Sequence, residues 1–450
     1  MELPFWLDEY LALWMVVALF VALMAGYPVA FTLGGVAFGF GLLGFGLDFF
    51  NLLPLRVWGI MTNFTLLAVP LFVFMGVTLE KSGLAEDLLE TMALLFGKIR
   101  GGMAVSVVIV GALLAASTGI VGATVVTMGL LALPTMLKRG YQPELATGVI
   151  ASSGTLGQII PPSIILVLLG DIMSISVGDL FLAAVTPGLL LIFLYIVWIL
   201  TVSKLKPDVA PAIPKEERDA MSGTELMARV GKALVPPLFL MIAVLGSIFM
   251  GIASPTESAA MGGVGALLLT FLNKRFSLKA LKESVETTTQ LTTMIFIIFV
   301  GATTFGLVFR GLGGDDFVRD FIESAPMGEH GALLLVMGTL FILGFFLDFI
   351  EITFIVIPII APIMIDLGFD PIWFGILVAM NLQTSFLTPP FGFSLFYLKG
   401  VAPPSITTGV LYRGIIPFIV IQLIALTAII MFPDLALWLP NLVRESMFGR

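Results

Sequence analysis

The sequence contains no cysteine, a single histidine and few charged residues. Without cysteine, disulfide bonds and thiolate metal sites are excluded. A zinc site or a Ser-His-Asp centre would depend on His330 alone. Charged residues make up 12% of the 450 residues, which is about half of the share in a soluble domain. A water-soluble fold of this composition would lack the polar residues needed to cover its surface.

What the sequence has instead is a series of apolar runs of about 20 residues, the length that crosses a bilayer core. Hydrophobic residues make up 59% of the chain, and the mean hydropathy is +1.11. Residues 189–201 (LLLIFLYIVWILT) lack the alternation that a membrane β-barrel requires. Spanning segments must satisfy their own backbone hydrogen bonds. We therefore predict an all-α polytopic membrane protein in contact with the lipid bilayer, beginning with a retained span at 11–26 rather than a cleaved signal peptide.

Shifting the sequence on itself by 228 residues aligns residues that are hard to replace. Proline and glycine each restrict or extend the backbone in a particular way, so their matches carry more weight than apolar matches. The aligned pairs are Pro134 with Pro362, Gly140 with Gly368, Pro143 with Pro371, Pro161-Pro162 with Pro389-Pro390, and Gly83 with Gly311. We predict two repeats, 1–203 and 233–450, joined by a charged, proline-rich cytoplasmic linker at 204–232.

The basic residues predict how the two repeats lie in the membrane. We place crossings near 10–27, 28–50, 57–80, 143–170 and 180–203, and near 233–252, 256–273, 288–310, 371–399 and 413–438. With five crossings each, consecutive repeats are inverted relative to each other. If both termini are periplasmic, 17 of the 22 basic residues are cytoplasmic, as the positive-inside rule favours. The basic residues left outside are Arg56, Arg310, Arg319, Arg444 and Arg450.

Two apolar segments, about 102–138 and 331–366, must not cross the membrane for this count to hold. Each is long enough for two short helices and is interrupted in its middle, by Ser117-Thr118-Gly119 in the first and by residues 348–353 (DFIEIT) in the second. Surface turns are the alternative, but a surface turn would favour Lys or Arg, and none is present. We predict two re-entrant hairpins.

The crossings at about 143–170 and 371–399 are predicted to be broken helices. Residues 151–163 (ASSGTLGQIIPPS) and 380–394 (MNLQTSFLTPPFGFS) combine small polar side chains with Pro161-Pro162 and Pro389-Pro390. Consecutive prolines remove helix donors and clash with the preceding turn. Unwound backbone is tolerated in a membrane only where it is buried in protein or lines a cavity. Its carbonyls suit Na⁺, and the half-helix that follows points a positive N-terminus at the cavity.

Each repeat therefore supplies one candidate cation site, with the substrate between the two sites. Back-bonding of the hydroxyls to the preceding helical turn is the alternative. The first site comprises Ser117, Thr118, Gly119, Ser152, Ser153, Gly154 and Thr155. The second comprises Asp348, Thr353, Asn381, Gln383, Thr384, Ser385 and Thr388.

Three acidic residues fall at membrane depth, where charges are costly and often functional. Asp348 and Glu351 lie at the second hairpin tip, where they either bind or gate an ion or face water at the hairpin mouth. Glu257 either caps a helix or contributes to binding. No Lys or Arg falls in the middle of a crossing. A carboxylate substrate would therefore be held by helix N-termini and hydroxyls, which would also suit a neutral polyol.

Several of these segments resemble the large membrane subunit of TRAP transporters, the tripartite ATP-independent periplasmic family. They are residues 119–131 (GIVGATVVTMGLL), 146–163 (ATGVIASSGTLGQIIPPS), 381–390 (NLQTSFLTPP) and 251–259 (GIASPTESA). The resemblance implies a fold similar to divalent anion–sodium symporters, Na⁺ as the coupling ion, and an elevator-type mechanism. It also implies two partners in the bacterial inner membrane system: a separate small membrane subunit of about four spans and a periplasmic substrate-binding protein.

The same resemblance narrows the substrate class. Residues 386–403 (FLTPPFGFSLFYLKGVAP) look most like the branch that handles 2-oxo acids, lactate or mannitol-type compounds. Residues 117–122 (STGIVG) depart from the sialic-acid branch, whose first hairpin tip is richer in Ser and Gly. The expected function is sodium-driven import of a small organic acid, with no cofactor, no other metal and no nucleic acid partner.

Other functions remain open at this point. A stand-alone ion-coupled dicarboxylate symporter would need no binding protein. An intramembrane enzyme would need a catalytic constellation, which one histidine and no cysteine disfavour. A channel would not need two interrupted hairpins, and channel pores often carry rings of charge.

Overall fold

The computed structural model describes residues 10–214 and 222–448, and every regular element among them is helical. The first part of the chain contains α1 (Leu11–Met24), α2 (Val29–Phe45), α3 (Leu53–Met61), α4 (Ala68–Lys81), α5 (Leu84–Leu95), α6 (Gly102–Thr118), α7 (Val121–Lys138), α8 (Pro143–Thr155), α9 (Ile164–Ile172) and α10 (Val177–Leu205). Short 3₁₀ helices cover Leu47–Leu52, Thr65–Leu67, Leu156–Gln158 and Pro207–Val209. The all-α prediction is confirmed.

The second part repeats this order with different lengths. It contains α11 (Gly223–Phe249), α12 (Pro255–Leu272), α13 (Leu278–Gly311), α14 (Gly314–Glu323), α15 (Glu329–Leu343), α16 (Phe349–Ile355), α17 (Ile357–Asp366), α18 (Pro371–Leu387), α19 (Phe393–Val401), α20 (Thr408–Met431) and α21 (Asp434–Phe448). The 228-residue offset relates several helix starts: α8 to α18, α7 to α16, and, within one residue, α6 to α15 and α9 to α19.

The aligned prolines and glycines have the same local role in both parts. Gly140 and Gly368, with φ of 79° and 95°, end α7 and α17 in the left-handed conformation that glycine adopts without strain. Pro143 and Pro371 are the first residues of α8 and α18, a position where the missing N–H costs nothing. The sequence pairs therefore mark equivalent helix ends.

Two groups of helices follow from the packing. In one group α4 packs against α12, and α2 packs against α13. The 228-residue offset relates α2 to α12 and α4 to α13, so it converts the first pairing into the second. A pseudo-twofold arrangement has this property. In the other group the hairpin and broken helices pack on one another, with α7 on α8, α15 on α18 and α8 on α20. The division into two repeats with the predicted bounds stays a prediction.

Five helices among the described residues are long and apolar enough to cross a bilayer, or up to seven spans if each of two bent pairs counts as one. The five are Val121–Lys138, Val177–Leu205, Gly223–Phe249, Leu278–Gly311 and Thr408–Met431. The first of these is α7, which the sequence analysis assigned to a re-entrant hairpin. Its length alone would allow it to cross, so the placement of both hairpins and the ten crossings stay predictions.

Two predicted boundaries were wrong in detail. The third crossing of the first repeat, expected as one helix at 57–80, is bent by 54° between α3 and α4, because Asn63 starts a new turn there. The linker expected at 204–232 is partly helical, since α11 begins at Gly223, where Ser222 and Glu225 form a capping box. Residues 215–221 of that linker, like 1–9 and 449–450 at the predicted periplasmic termini, lie outside the described residues.

Candidate functional site

The tip of the first hairpin forms where α6 ends and α7 begins. Gly119 has φ of 62° and lets the chain reverse directly after Ser117 and Thr118, as the sequence predicted. The Ser117 hydroxyl donates to the Leu114 carbonyl at 2.8 Å. The Thr118 hydroxyl lies 2.8 Å from that of Thr124 across the tip. Both predicted side chains are buried.

The first broken helix holds the other half of the first predicted site. α8 ends at Thr155, a 3₁₀ turn follows, and α9 begins after Pro161-Pro162, whose peptide bond is cis, as is that of Pro389-Pro390. The hydroxyls of Ser152 and Ser153 donate to the Val149 carbonyl, at 3.1 and 2.6 Å, and Thr155 donates to Ser152. Back-bonding therefore occurs at each of these hydroxyls, yet their oxygens keep lone pairs that could face a cation.

Glycines bring the hairpin and the broken helix together. A Cβ added at Gly111 would lie 2.6 Å from Cβ of Ser153, and one at Gly157 would lie 2.8 Å from the Ala115 carbonyl oxygen. A Cβ at Gly119 would lie 3.0 Å from the side chain of Ile164, the first residue of α9. Only glycine permits these approaches, so the two segments of the first predicted site form one cluster.

The second hairpin tip lies earlier in the chain than expected. α15 ends at Leu343 and α16 begins at Phe349, so the break covers residues 344–348 instead of 348–353. Asp348 caps α16, accepting from the Phe349 N–H at 2.6 Å, while Glu351 accepts from the Asp348 N–H at 3.0 Å. Thr353 is inside α16 and donates to the Phe349 carbonyl, because the capping box starts the helix before it.

The second broken helix packs against the first arm of this hairpin. Asn381 donates to the Met337 carbonyl at 2.8 Å, and a Cβ at Gly344 would lie 2.6 Å from Cβ of Ser385. Thr384, Ser385 and Thr388 all back-bond within the helix, to Met380, Leu382 and Thr384. The structure thus joins Asn381 and Ser385 to α15, whereas the hydrogen bond of Thr353 remains within α16.

Glu257 has the capping role that the sequence analysis weighed. Its carboxylate accepts from the Ser254 N–H at 2.8 Å, and the Ser254 hydroxyl caps the Glu257 N–H at 3.3 Å. The side chain is exposed and lies in the first turn of α12. We therefore assign Glu257 to helix capping.

A central cavity of about 350 Å³ lies where the two hairpin tips meet. The first tip contributes residues 119–123, the second contributes residues 348–350, and α9 contributes Ile164. α4 and α13 of the other helix group close the cavity with Val73, Leu291, Met294 and Ile295, and Phe386 and Tyr397 add aromatic walls. Asp348 is the one ionisable carboxylate on this wall among the described residues. The predicted position of the substrate, between the two half-sites, therefore coincides with a real cavity.

Two helix N-termini face this cavity without a side-chain cap. α7 begins at Val121 and α9 begins at Ile164, and neither Ile120 nor Ser163 makes a capping hydrogen bond. Uncapped N–H groups and the helix dipole favour a negatively charged group. α16 differs, because Asp348 and Glu351 already occupy its N-terminus.

The sequence analysis missed Gln158. Its side chain is 1% exposed, and neither amide atom has a hydrogen-bond partner among the described residues. Gln383, which was predicted, is 0% exposed, and neither of its amide atoms has a hydrogen-bond partner among the described residues. The signal that could have found Gln158 is its position in GQIIPP, a lone amide three residues before a double-proline break. The Ser394 hydroxyl, which donates to the Ala151 carbonyl at 3.1 Å, ties the two broken helices together.

The family described as tripartite ATP-independent periplasmic transporter, DctM component, matches residues 16–435. The C4-dicarboxylate TRAP transporter large permease DctM of Pseudomonas aeruginosa is 32% identical over 413 residues, which cover 92% of this chain and 94% of that protein. The sialic acid large permease SiaM of Vibrio cholerae is 30% identical over 93% of this chain and 96% of its own length. The ectoine/5-hydroxyectoine large permease UehC of Ruegeria pomeroyi is 30% identical over 94% and 97%.

Among solved structures, the YdaH transporter of Alcanivorax borkumensis shares the fold. The TM-score is 0.57 at 14% sequence identity, over 85% of this chain and 87% of that one. The family match covers both hairpins and both broken helices, so the resemblance carried by residues 119–131, 146–163, 251–259 and 381–390 is confirmed. The chain belongs to the large permease component of the tripartite ATP-independent periplasmic transporters, a family of multi-pass membrane transporters.

Proposed function

We propose that this chain imports a small organic acid, delivered by a periplasmic binding protein, in a sodium-driven elevator cycle. The observation that carries the proposal is the central cavity. It lies where two hairpin tips and two uncapped helix N-termini converge, at the boundary between the two helix groups.

The cavity suits a small carboxylate. Its volume of about 350 Å³ is at the lower end of the range for small-molecule sites. Among the described residues that line it there is no Lys or Arg. A carboxylate there would be held by the N–H groups that start α7 and α9. The relatives carry different substrates in their names, so we propose a class: a 2-oxo acid, lactate or a similar carboxylate, or a polyol.

Sodium would bind in the two clusters beside this cavity. The first offers hydroxyl and carbonyl oxygens around Ser153 and Gly119, and the second offers those around Asn381 and Ser385. Oxygen ligands without a histidine or cysteine suit a hard monovalent cation. No group of three or more His, Cys, Asp or Glu side chains comes together in the described part of the chain. Gln158 and Gln383 add unpaired amide oxygens close to both breaks.

The two helix groups support an elevator-type movement. The hairpins and broken helices pack on one another, α4, α12, α2 and α13 pack on one another, and the two groups meet where α4 contacts α6 and α13 contacts α16. Because both groups line the central cavity, a substrate bound to the hairpin group could move past α4 and α13. The re-entrant hairpins and the inverted repeats belong to this proposal.

The assembly follows from the tripartite family. We propose that the chain works in the bacterial inner membrane, with both termini periplasmic. Its partners would be a separate small membrane subunit of about four spans and a periplasmic substrate-binding protein. This chain covers only 69% of the length of one relative, which is named a permease protein. The uncovered part of that relative leaves room for a fused region.

Transport in proteoliposomes tests the proposal. Uptake should require a sodium gradient, the small subunit and the ligand-loaded binding protein. The double variant Ser153→Ala with Thr155→Ala removes two hydroxyls of the first cluster and should raise the sodium concentration for half-maximal uptake severalfold, without loss of folded protein. Unchanged sodium activation would remove these hydroxyls from the site. Equal uptake without sodium and without binding protein would contradict the mechanism, whereas sodium-driven uptake of free dicarboxylate would favour the stand-alone symporter.

A further inference from the structure

The arginines left on the predicted outer side differ in their partners. Arg319 and Arg444 are held by carboxylates, with Asp366 at 2.7 Å and Asp179 at 2.6 Å. The remaining two described arginines, Arg56 and Arg310, line one and the same cavity. Positive charge is disfavoured on the outer side of a membrane protein. Two such residues converging from distant parts of the chain therefore call for an explanation.

This outer cavity has a volume of about 520 Å³. Arg56 comes from α3, and Arg310 comes from the last turn of α13, with half of its side chain exposed. The nearest carboxylate oxygen to Arg310 Nε is on Asp315 at 3.8 Å, too far for a hydrogen bond. Asp171 also lines the cavity, but its Oδ1 accepts from Asn63 Nδ2 at 2.7 Å. Asp315 therefore pairs with Arg310 through charge alone, and no described carboxylate accepts a hydrogen bond from either guanidinium group, so the donors of both remain available to an anion.

The outer cavity continues the central cavity along the same two helices. One face of α13 extends from the central cavity to the outer cavity. It carries residues 291, 295, 299, 302, 306 and 310. Ile295 and Arg310 are separated by about 22 Å along this helix. On α16, Ile350 belongs to the central cavity and Phe354 to the outer one.

A stacked aromatic pair lies between the two cavities. The rings of Phe299 and Phe354 are 4.4 Å apart between centroids, at an interplanar angle of 16°. Phe299 belongs to α13 and Phe354 to the second hairpin, so the two helix groups meet at this pair. A solute in the outer cavity would have to pass this pair to reach the central one.

We infer that the outer cavity is a capture site that holds the carboxylate group of a small organic anion before it reaches the central cavity. The identity of the anion as the transported substrate rests on the proposed function. A guanidinium group binds a carboxylate through parallel hydrogen bonds and keeps its charge at any physiological pH. The recessed shape and the apolar floor, with Phe354 and Pro358, fit a small molecule better than an acidic protein surface.

The absence of cysteine makes a direct test possible. Thr303 lines the outer cavity, so Thr303→Cys provides the only thiol in the purified chain. Its reaction rate would be measured with an anionic methanethiosulfonate, the ethylsulfonate, and with a cationic one, the ethyltrimethylammonium. We expect the ratio of anionic to cationic rate to be roughly tenfold higher than at Ser324→Cys, an exposed position on the same predicted side.

Matched variants assign this preference to the two arginines. Arg56→Gln with Arg310→Gln should abolish it, and Arg56→Lys with Arg310→Lys should retain it. Arg319→Gln should leave it unchanged, because Asp366 already neutralises Arg319. An equal ratio at the two cysteines, or a ratio that survives the double glutamine variant, would overturn the inference.

A second measurement identifies the occupant and needs no transport. Succinate and lactate should slow the modification of Thr303→Cys, mannitol should not, and the double glutamine variant should lose this protection. If neither carboxylate protects, the inference is wrong. If only a purified binding protein protects, the cavity is a docking surface and the inference is likewise wrong. If the carboxylates protect Thr303→Cys but uptake proves independent of sodium, the capture site stands. Only the proposed function is then contradicted.

Discussion

The two hairpin tips occupy equivalent positions under the 228-residue offset, but different contacts close them. At the first tip, α4 presses against the backbone of Ser117 and Thr118 through Gly76. The equivalent position on α13 is Thr304, so the second tip has no such glycine contact. The second tip instead carries Asp348 and Glu351, whereas the residue equivalent to Asp348 is Ile120. One tip is clamped by backbone packing and the other is capped by carboxylates.

The helices that support the tips differ in the same sense. α3 and α4 are bent by 54° at Asn63, whose side chain caps the Thr65 N–H at 2.9 Å. The equivalent helix α13 is continuous over 34 residues. The two parts of the chain related by the 228-residue offset therefore share the backbone breaks and differ in the side chains placed around them. The two halves of the site are therefore expected to differ in how rigid they are and in how they respond to ions.

The largest expected effect is at the clamped tip. Gly76→Thr places at the first tip the residue found at the equivalent position of the second, and its Cβ would overlap the Ser117 carbonyl and the Thr118 Cα. Backbone cannot move aside as a flexible side chain can, so we expect a cost of at least about 1–3 kcal/mol. Uptake should fall by more than tenfold, or folded protein should be lost, as measured by transport and thermal unfolding.

The reciprocal variant is the control for this prediction. Thr304→Gly removes a side chain that donates to the Val300 carbonyl at 2.9 Å within α13, and we expect it to retain most of the uptake. Near-normal uptake by Gly76→Thr would show that the first tip is not clamped.

A smaller effect is expected at the capped tip. Asparagine is as good an N-cap as aspartate, so Asp348→Asn should leave the melting temperature almost unchanged. Among the described residues it removes the one carboxylate that lines the central cavity, so the sodium coupling or the pH dependence of uptake should change. Asp348→Ile, which copies the first tip, should lose the cap as well, at about 1 kcal/mol. A wild-type pH and sodium profile for Asp348→Asn would place its carboxylate outside the transport site.

The sequence was sufficient where backbone chemistry decides the structure. Each proline or glycine restricts or extends the backbone wherever it occurs, so breaks and helix starts lie at the predicted positions. The residues that mark them are Pro161-Pro162, Pro389-Pro390, Gly119, Pro143 and Pro371. The family followed from the segments around these breaks. Composition, the length of the apolar runs and their lack of alternation were enough for the all-α membrane class.

Side-chain arrangement could not be predicted in the same way. That Thr353 lies inside α16 depends on the capping box of Asp348 and Glu351, a competition between overlapping helix starts that a single sequence does not resolve. At the bend, the Asn63 side-chain amide donates to Asp171, a partner 108 residues away that the sequence does not bring next to it. Likewise, the convergence of Arg56 and Arg310 requires α3 and α13 to be placed in three dimensions.

The smallest expected effect concerns the two buried glutamines, one in each repeat. An unpaired buried amide atom costs about 1–3 kcal/mol, so Gln158→Leu and Gln383→Leu should each raise the melting temperature in sodium-free buffer. If the amide oxygens are cation ligands, sodium should stabilise the unmodified chain through preferential binding to the folded state, and each variant should lose part of that shift. If a variant has a higher melting temperature and sodium stabilises it as much as the unmodified chain, the glutamines are not cation ligands. If only Gln383→Leu loses the sodium-dependent rise in melting temperature, the more sensitive cation site lies in the second half of the site, whose hairpin tip is capped by carboxylates.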